Sequence, residues 1–447
     1  MNFTVPAALF GWPLVALALC ALLPARRAVI VAYLAAWLFL PVYAYEIQGL
    51  PEWTKMSATS ISLLVALLIF DLRKFSTFRP RWIDLPMLAW CLSPAAASLA
   101  NGIGLYDAAS GFRNYAVTWG IPYFLGRLYF SDFDGLRELA LGLFIGGLVY
   151  VPFCLYEIRM SPQLHTLVYG FHQHSFAQTK RFGGWRPTVF MDHGLMVGMW
   201  MSMASLTGIW LWLSGVMRSF RGISILWFLI PLVVTAVLCK STGALLLLFS
   251  GIVLLFWVRW RQTRAPLYLL GAVAPLYILL RLTGSWTGDD MVDVAQVFSS
   301  DRAESLVTRL KQEDQLSARA LQRPVFGWAA WGRSRIMDES GQDIAITDGL
   351  WIIELGQHGL FGLAAMLSVF LLPVITLARY VPAREWIRPY AAPAAALTAA
   401  VVLCLIDCIP NAHVTPIFIL AAGAITGLRV FHEPEPEPAP EEAVSES

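Results

Sequence analysis

The sequence predicts an all-α, polytopic transmembrane protein with about 12–13 spans and a large extracytoplasmic loop between spans in its C-terminal half. Of its 447 residues, 57% are hydrophobic and only 14% are charged, far from the balance of soluble globular domains. Apolar stretches of about 20 residues, enough for a helix to cross a bilayer, recur along nearly the whole chain. Such segments satisfy their backbone polar groups in lipid as helices.

The predicted spans follow one another with short connections, and their bounds carry an error of several residues. They are 7–24, 28–44, 57–71, 85–100, 115–130, 138–157, 189–214, 222–239, 242–258, 265–282, 350–378, 389–408 and 413–430. The first lacks the basic flank of a cleaved signal peptide and is therefore expected to remain as a span. With the N-terminus outside, alternation puts most basic short loops in the cytoplasm, as the positive-inside rule requires.

Two segments on the outer side, 158–188 and 283–349, are long and, against this trend, rich in cations. Long loops are translocated whatever their charge, so the topology holds. An anionic partner outside the cytoplasm would account for these cations. They are Arg159, Lys180, Arg181, Arg186, Arg302, Arg309, Lys311, Arg319, Arg323, Arg333 and Arg335.

The domain prediction is one transmembrane domain over residues 1–430, followed by an acidic, proline-rich tail over 431–447. The tail lacks apolar anchors, so we expect a disordered cytoplasmic extension. The six cysteines lie in or beside apolar spans and indicate neither disulfides nor a metal site. The absence of an evident internal repeat weakens a transporter built from inverted halves.

The first constellation lies in the stretch "RFGGWRPTVFMDHGLM", which holds Arg181, Arg186, Asp192 and His193. Arginine forks match phosphate oxygens, and the two glycines between the arginines let backbone approach a ligand closely. Asp192 and His193 are predicted just inside the next span, where an ionisable group is costly and indicates function. The alternatives are cations that snorkel to lipid headgroups and a satisfied interhelical hydrogen bond.

The second constellation is Lys240 in the turn "CKSTG" between two spans. The following helix offers unpaired N–H groups and the positive end of its dipole, so the turn is a candidate anion clamp. The alternative is a lone lysine at the membrane interface.

The third constellation is the second long loop and the span after it. Arg309 and Arg319 fall on a predicted interfacial helix, and Asp348 opens the next span with Glu354 and His358 below it. Asp348 is interpreted either as the N-cap of that span or as a proton acceptor at the membrane surface.

Two further motifs carry weaker signals for metal. "DDMVD", residues 289–293, has a carboxylate spacing suited to magnesium, but it is predicted to begin a polar loop rather than to line an apolar cavity. His172 and His174, with His165 upstream, lack an obvious fixed third ligand. No metal and no cofactor is therefore predicted.

Over roughly residues 180–430 the chain resembles the O-antigen ligase and O-antigen polymerase superfamily of bacterial membrane glycosyltransferases. Four stretches carry the resemblance by their order and spacing. They are "RFGGWRPTVFMDHGLMVG", "KSTGALLLL", "RLKQEDQLSARALQRPVFGWAAWG" and "TDGLWIIELGQHGLFGL", the last in step with the family at Leu355, Gly359 and Gly362.

The resemblance implies a metal-independent transfer of a glycan from undecaprenyl pyrophosphate to a hydroxyl, with inversion at the anomeric carbon. The large loop and the active site would then face the periplasm, across the bacterial inner membrane. Implied partners are a lipid-linked oligosaccharide donor, a glycan acceptor and other polysaccharide-assembly proteins, and no nucleic acid. Arg181 and Arg309 fall where the family has pyrophosphate-binding arginines, and Arg186, Lys240 and Arg319 are expected to assist them.

The chain departs from the family pattern at two sites. Thr242 replaces a family arginine, with Lys240 as a cationic substitute, and Asp348–Gly349 replaces a His-Asn pair. Asp348 is therefore the candidate general base, with Asp192 and His193 as substitutes. A polymerase of lipid-linked repeat units is the preferred hypothesis, and a ligase to a lipid or protein acceptor is the runner-up. A transporter or flippase of lipid-linked sugars is a hypothesis of a different class, and an inactive relative is the last.

Overall fold

The computed structural model describes residues 2–47, 50–298, 300–330, 332–345, 348–413 and 415–428. The protein is 71% helix and 4% strand, which confirms the helical prediction. The predicted tail, 431–447, lies outside the described residues.

Helices follow one another along nearly the whole described chain. They are α1 (Thr4–Leu22), α2 (Ala25–Phe39), α3 (Lys55–Phe70), α4 (Leu72–Ser76), α5 (Leu85–Ala100), α6 (Leu105–Tyr115), α7 (Ile121–Tyr129), α8 (Phe133–Met160), α9 (Leu164–Tyr169), α10 (Gly194–Leu213), α11 (Leu226–Leu238), α12 (Thr242–Arg261), α13 (Ala265–Leu282), α14 (Asp289–Phe298), α15 (Ser300–Ala320), α16 (Leu350–Tyr380), α17 (Ala392–Asp407) and α18 (Pro416–Thr426).

Seven helical segments are long and apolar enough to cross a membrane: α1, Trp82–Ala100 (α5 with the turn before it), α8, α10, α12, α13 and α16. Four shorter apolar helices, α3, α11, α17 and α18, coincide with further predicted spans. A polytopic helical membrane protein is therefore the class that the sequence and the structure share.

Three small antiparallel hairpins interrupt the helical pattern, which the purely helical prediction did not include. They are β1 (Ala44–Ile47) with β2 (Leu50–Thr54), β3 (Lys180–Arg181) with β4 (Gly184–Trp185), and β5 (Ser219–Phe220) with β6 (Ile223–Ser224). In the second hairpin the linking residues Phe182 and Gly183 have φ of 47° and 67°, the positive values that tight two-residue turns require. Strands this short leave no alternating hydrophobic pattern in the sequence.

The core is a helical bundle with α10 near its centre, where α10 packs against α8, α11, α12 and α17. The helices α7 and α18 approach each other closely. A Cβ on Gly126 would lie 2.0 Å from the carbonyl oxygen of Leu420, and one on Gly423 would lie 2.1 Å from that of Tyr123. Small residues at such crossings let two backbones meet, which replaces the hydrophobic driving force that lipid does not supply.

The segment between α13 and α16 is largely helical. The prediction that "DDMVD" begins a polar loop is wrong, because Asp289 starts α14. Arg281, at the end of α13, fixes α15: its guanidinium lies 2.7 Å from Asp314 and 3.5 Å from Glu313. The prediction that Arg309 and Arg319 share one helix, here α15, is confirmed.

α16 is not one continuous helix, because Gly359 has φ 65° and ψ −163°. The segment Pro324–Ala329 fills the break and supplies partners for the freed backbone groups. Leu360 and Phe361 donate to the carbonyls of Pro324 and Val325, at 2.7 and 3.1 Å. In return the amides of Trp328 and Ala329 donate to α16 carbonyls, each at 2.9 Å. Non-helical backbone among membrane helices persists only where other protein groups satisfy it.

Candidate functional site

The segment before α10 is shaped by one buried carboxylate, Glu157 near the end of α8. It accepts hydrogen bonds from the backbone amides of Thr188 and Val189, each at 2.8 Å, and from Leu164 at 2.9 Å. The backbone of Arg186 is held in the same segment, because its amide donates to the carbonyl of Thr179 at 2.7 Å. These bonds hold the β3–β4 hairpin and the residues after it against the bundle.

Arg186 is the cation that this arrangement buries. The residue is 6% exposed, and its guanidinium donates to the carbonyl of Lys240 at 3.0 Å. Within the described residues its Nε has no hydrogen-bond partner and it forms no ion pair. Burial, and then the nearby Arg181, lower the pKa of Arg186 to about 10, which still leaves it charged at neutral pH.

Lys240 ties the hairpin to the turn between α11 and α12. It has φ 53°, and its ammonium donates to the carbonyls of Arg181 at 3.2 Å and Phe182 at 3.4 Å. The predicted turn is thus confirmed, and Arg181, Arg186 and Lys240 belong to one cluster. The side chain of Arg181 is exposed.

A pocket opens beside this cluster at the start of α10. It is lined by His174, Ser175, Gln178, Thr179, Arg186, Thr188, His193 and Gly194. Like Nε of Arg186, the hydroxyl of Thr188 is buried and unpaired as far as the structure describes the chain. Buried polar groups are nearly always paired in native proteins, so unpaired groups that line a pocket leave room for a water molecule or a polar ligand as their partner.

His193 lies before α10, which corrects its predicted place inside the span, and caps that helix. Its Nδ1 accepts from the amide of Leu195 at 3.0 Å, so Nε2 carries the proton and donates to Gln178 Oε1 at 3.1 Å. Burial, followed by the charges of His174, His413, Arg186 and Arg181, lowers the pKa of His193 to about 3. The imidazole is therefore neutral in a strongly positive pocket.

Asp192 also precedes α10 rather than lying within it. Its partial withdrawal from water raises the pKa of its carboxyl, against the opposing charges of His174 and Lys55. The Lys55 ammonium itself donates to the carbonyl of Phe190 at 3.1 Å. Asp192 thus lies at the edge of the same cluster.

Arg309 and Asp348 form an ion pair of 3.1 Å, with side chains 45% and 39% exposed. The interpretation of Asp348 as an N-cap is wrong, because Gly349 occupies the N-cap position of α16 and no side chain caps the helix. Arg319 contacts other residues than the Arg309–Asp348 pair. Its guanidinium lies 3.5 Å from the ring centroid of Trp328 and donates to Gln322 at 3.0 Å.

The turn between α17 and α18 connects the region of Arg309 and Asp348 with the cluster around Arg186 and His193. The amide of Leu350, two residues after Asp348, donates to the carbonyls of Cys408 at 2.9 Å and Asn411 at 3.1 Å. Further along the same turn, the ring of His413 stacks on His193, with centroids 6.2 Å apart. The start of α16, next to Asp348, and the pocket residue His193 therefore both lie against the turn between α17 and α18.

Sequence reasoning missed His413 and Gln178. The signal for His413 was a histidine at the first residue of the predicted span 413–430, similar to the signal that identified His193. Gln178 carried no signal, since an amide in a polar loop is ordinary.

A buried triad lies along α16. Tyr115 donates to Glu354 Oε1 at 2.7 Å, and His358 Nδ1 lies 2.9 Å from Glu354 Oε2. Glu354 is fully buried and His358 is 3% exposed. The three side chains satisfy one another's hydrogen-bonding groups, and His358 directly precedes the break at Gly359.

Neither weak metal motif gathers ligands. In the parts of the chain that the structure describes, no group of three His, Cys, Asp or Glu side chains is arranged to hold a metal ion. His172 Nδ1 lies 2.6 Å from the carbonyl of His174, and Asp289 accepts from Thr287 at 2.6 Å.

The chain matches no protein-family model, and no curated protein matches it significantly.

Proposed function

We propose that this protein transfers a glycan from an undecaprenyl-pyrophosphate-linked donor to a sugar hydroxyl at the periplasmic face of a bacterial inner membrane, as O-antigen polymerases do. The observation that carries the proposal is Arg186, a buried guanidinium with no carboxylate partner among the described residues, beside a pocket of hydroxyl, amide and imidazole groups. An anion is the ligand that such a group requires.

The chemistry of the transfer matches these groups. Breaking the bond between the anomeric carbon and the pyrophosphate builds negative charge on the leaving group. Arg186 and its neighbour Arg181 stabilise that charge, and the unpaired Thr188 hydroxyl donates to it. In a site shielded from water, one such donor contributes about 3–4 kcal/mol to the transition state.

The acceptor enters from the side of Arg309 and Asp348. Their ion pair is half exposed, so a sugar hydroxyl can reach it. Direct attack of that hydroxyl on the anomeric carbon inverts its configuration. A polymerase and a ligase differ only in what carries this hydroxyl, and the departure from the family's His-Asn pair favours the polymerase.

The test uses the purified full chain in lipid nanodiscs with a panel of undecaprenyl-pyrophosphate-linked oligosaccharides. We expect release of undecaprenyl pyrophosphate together with a glycan of higher mass, both measured by mass spectrometry. Arg186→Gln should reduce both products by about 100- to 1,000-fold. Lys180→Gln is the matched control, because it removes an exposed cation from the same hairpin and should leave the rate unchanged. Absence of both products with wild-type protein across the panel would overturn the proposal.

A second function, transport of lipid-linked sugars, is favoured by the discontinuous helix α16 and the buried Glu354 beside the break. Broken helices of this kind form the binding sites of many transporters. A transporter moves the donor across the membrane intact. Proteoliposomes loaded with a fluorescent lipid-linked oligosaccharide on one leaflet distinguish the two functions, since only transport changes the leaflet without changing the mass.

A further inference from the structure

The turn between α17 and α18 is held in a defined shape. Asn411 closes it by two hydrogen bonds to Asp407, from its amide to the carbonyl at 3.1 Å and from its side chain to the carboxylate at 2.9 Å. The turn also packs on Gly349, where a Cβ would lie 2.1 Å from the carbonyl oxygen of Ile409. The residues of this turn are therefore fixed relative to Asp348.

His413 extends from this turn to the ring of His193, one of the residues that line the pocket. Its ring is parallel to that of His193 within 18°, and His193 lines the pocket together with Arg186. The Nε2 of His413 is buried, and within the described residues it has no hydrogen-bond partner. A neutral imidazole with a free ring nitrogen is equipped to exchange a proton with a ligand.

Two of the predicted candidate bases, Asp348 and His193, are already engaged. The Asp348 carboxylate is paired with Arg309, and Nδ1 of His193 accepts the amide at the start of α10 while its Nε2 carries the proton. We propose that His413 accepts the proton of the acceptor hydroxyl during glycan transfer, and that Asp348 holds Arg309. This inference rests on the proposed function.

Atoms and electrons balance in this step. The hydroxyl oxygen forms a bond to the anomeric carbon as the bond from that carbon to the pyrophosphate oxygen breaks. The electron pair leaves with undecaprenyl pyrophosphate. The hydroxyl proton passes to a ring nitrogen of His413 and from the resulting imidazolium to the released pyrophosphate or to water, which restores the neutral imidazole.

The electrostatics of the pocket keep His413 ready for this step. Burial, and then the charge of His174, lower the pKa of His413 to about 4, so it is unprotonated at neutral pH. A bound diphosphate brings negative charge toward the pocket and raises this pKa, which strengthens the base once the donor is present.

The test compares His413→Gln with His172→Gln in nanodiscs. His172 is the matched control, because its Nε2 is likewise unpaired among the described residues but its ring packs on Phe176 and not on His193. We expect His413→Gln to bind undecaprenyl pyrophosphate like the wild type and to slow transfer by about 100-fold or more. His172→Gln should transfer normally. His413→Gly should regain activity when imidazole is added to the solution.

Transfer by His413→Gln within a few-fold of the wild-type rate would overturn the inference. So would a parallel loss of binding and transfer without rescue by imidazole, because that pattern marks a structural role. His413→Asn replaces the glutamine variant if the latter does not fold. Failure of the proposed function itself is distinguishable, because then wild-type protein releases no undecaprenyl pyrophosphate from any donor.

Discussion

Two buried arginines in this protein have opposite surroundings. Arg281, at the junction of α13 and α15, is 6% exposed and lies within 3.5 Å of the carboxylates of Glu313 and Asp314. Arg186, in the pocket before α10, is equally buried but pairs with no carboxylate in the described part of the chain. A third buried arginine, Arg127, follows the first pattern, with both oxygens of Asp84 at 2.6 and 3.0 Å.

We interpret the difference as one between a structural cation and a cation that a ligand would complete. A buried charge without a partner is costly, which favours an outside anion at such a site. Arg281 is paired with carboxylates that hold α15 in place. Among the described residues, Arg186 has no carboxylate partner and lies near a second cation, Arg181, an arrangement suited to phosphate.

The largest effect is expected from replacing Arg281, the arginine that is paired with carboxylates. Arg281→Gln leaves the partly buried Glu313 without its cation, so we expect the free energy of unfolding to fall by up to about 3–5 kcal/mol. Unfolding in mixed detergent micelles measures this loss. The protein that remains folded should bind undecaprenyl pyrophosphate normally. Unchanged stability would mean that the carboxylates do not depend on Arg281.

Arg186→Gln should give the reverse pattern. We expect a loss of transfer rate of about 100- to 1,000-fold, because one charge-stabilising donor is removed. The free energy of unfolding should stay constant or rise, since an uncompensated buried charge disappears. Arg186→Lys is informative, because an ammonium lacks the planar fork and should recover only part of the activity. If Arg186→Gln were destabilised but bound undecaprenyl pyrophosphate normally, Arg186 would be a structural cation like Arg281.

The pH dependence of stability tests whether burial, together with the neighbouring positive charge, keeps His193 neutral. The pKa of His193 is about 3 in the folded protein and about 6.5 in an unfolded chain, so as pH falls the unfolded chain takes up the proton first. Its contribution to stability is complete above about pH 6.5 and is lost as the pH falls toward 3. Between pH 6 and 4, His193→Gln should reduce the slope by up to about 1.4 kcal/mol per pH unit. Equal slopes for both proteins would contradict the assigned electrostatics.

The smallest effect is expected from Gly184→Ala, which moves a charge without removing it. A Cβ at this position would lie 2.1 Å from the ammonium of Lys240, so that flexible side chain must shift away from the carbonyls of Arg181 and Phe182. We expect a few-fold weaker affinity for undecaprenyl pyrophosphate, roughly 0.5–1 kcal/mol, measured by titration in nanodiscs. Gly183→Ala is the steric control, since space beside Gly183 is open, although its φ of 67° adds backbone strain. An affinity that does not change would show that the ammonium position is unimportant.

Most of the apolar helices could be predicted from sequence because membrane helices are long and uniformly apolar. Hydropathy located α8 and α16 without any knowledge of their neighbours. The grouping of Arg181, Arg186 and Lys240 also followed, since each borders a span that opens on the same predicted side. Local patterns therefore suffice for elements whose solvent is lipid.

Other features depend on contacts between distant segments and could not be predicted. Asp348 looked like an N-cap because aspartate commonly fills that position, but its partner is Arg309, 39 residues earlier in the sequence. The break in α16 comes from the docking of Pro324–Ala329, and a glycine within an apolar run does not reveal that on its own. Similarly, only the packing of α17 and α18 brings His413 onto His193.

The discontinuity in α16 has a mechanical consequence. Because Pro324–Ala329 is bonded to backbone on both sides of Gly359, that segment ties the loop after α15 to both halves of α16. A displacement of α15 would therefore reach the turn that carries Glu354 and His358 through these hydrogen bonds, a connection that an unbroken α16 would not offer.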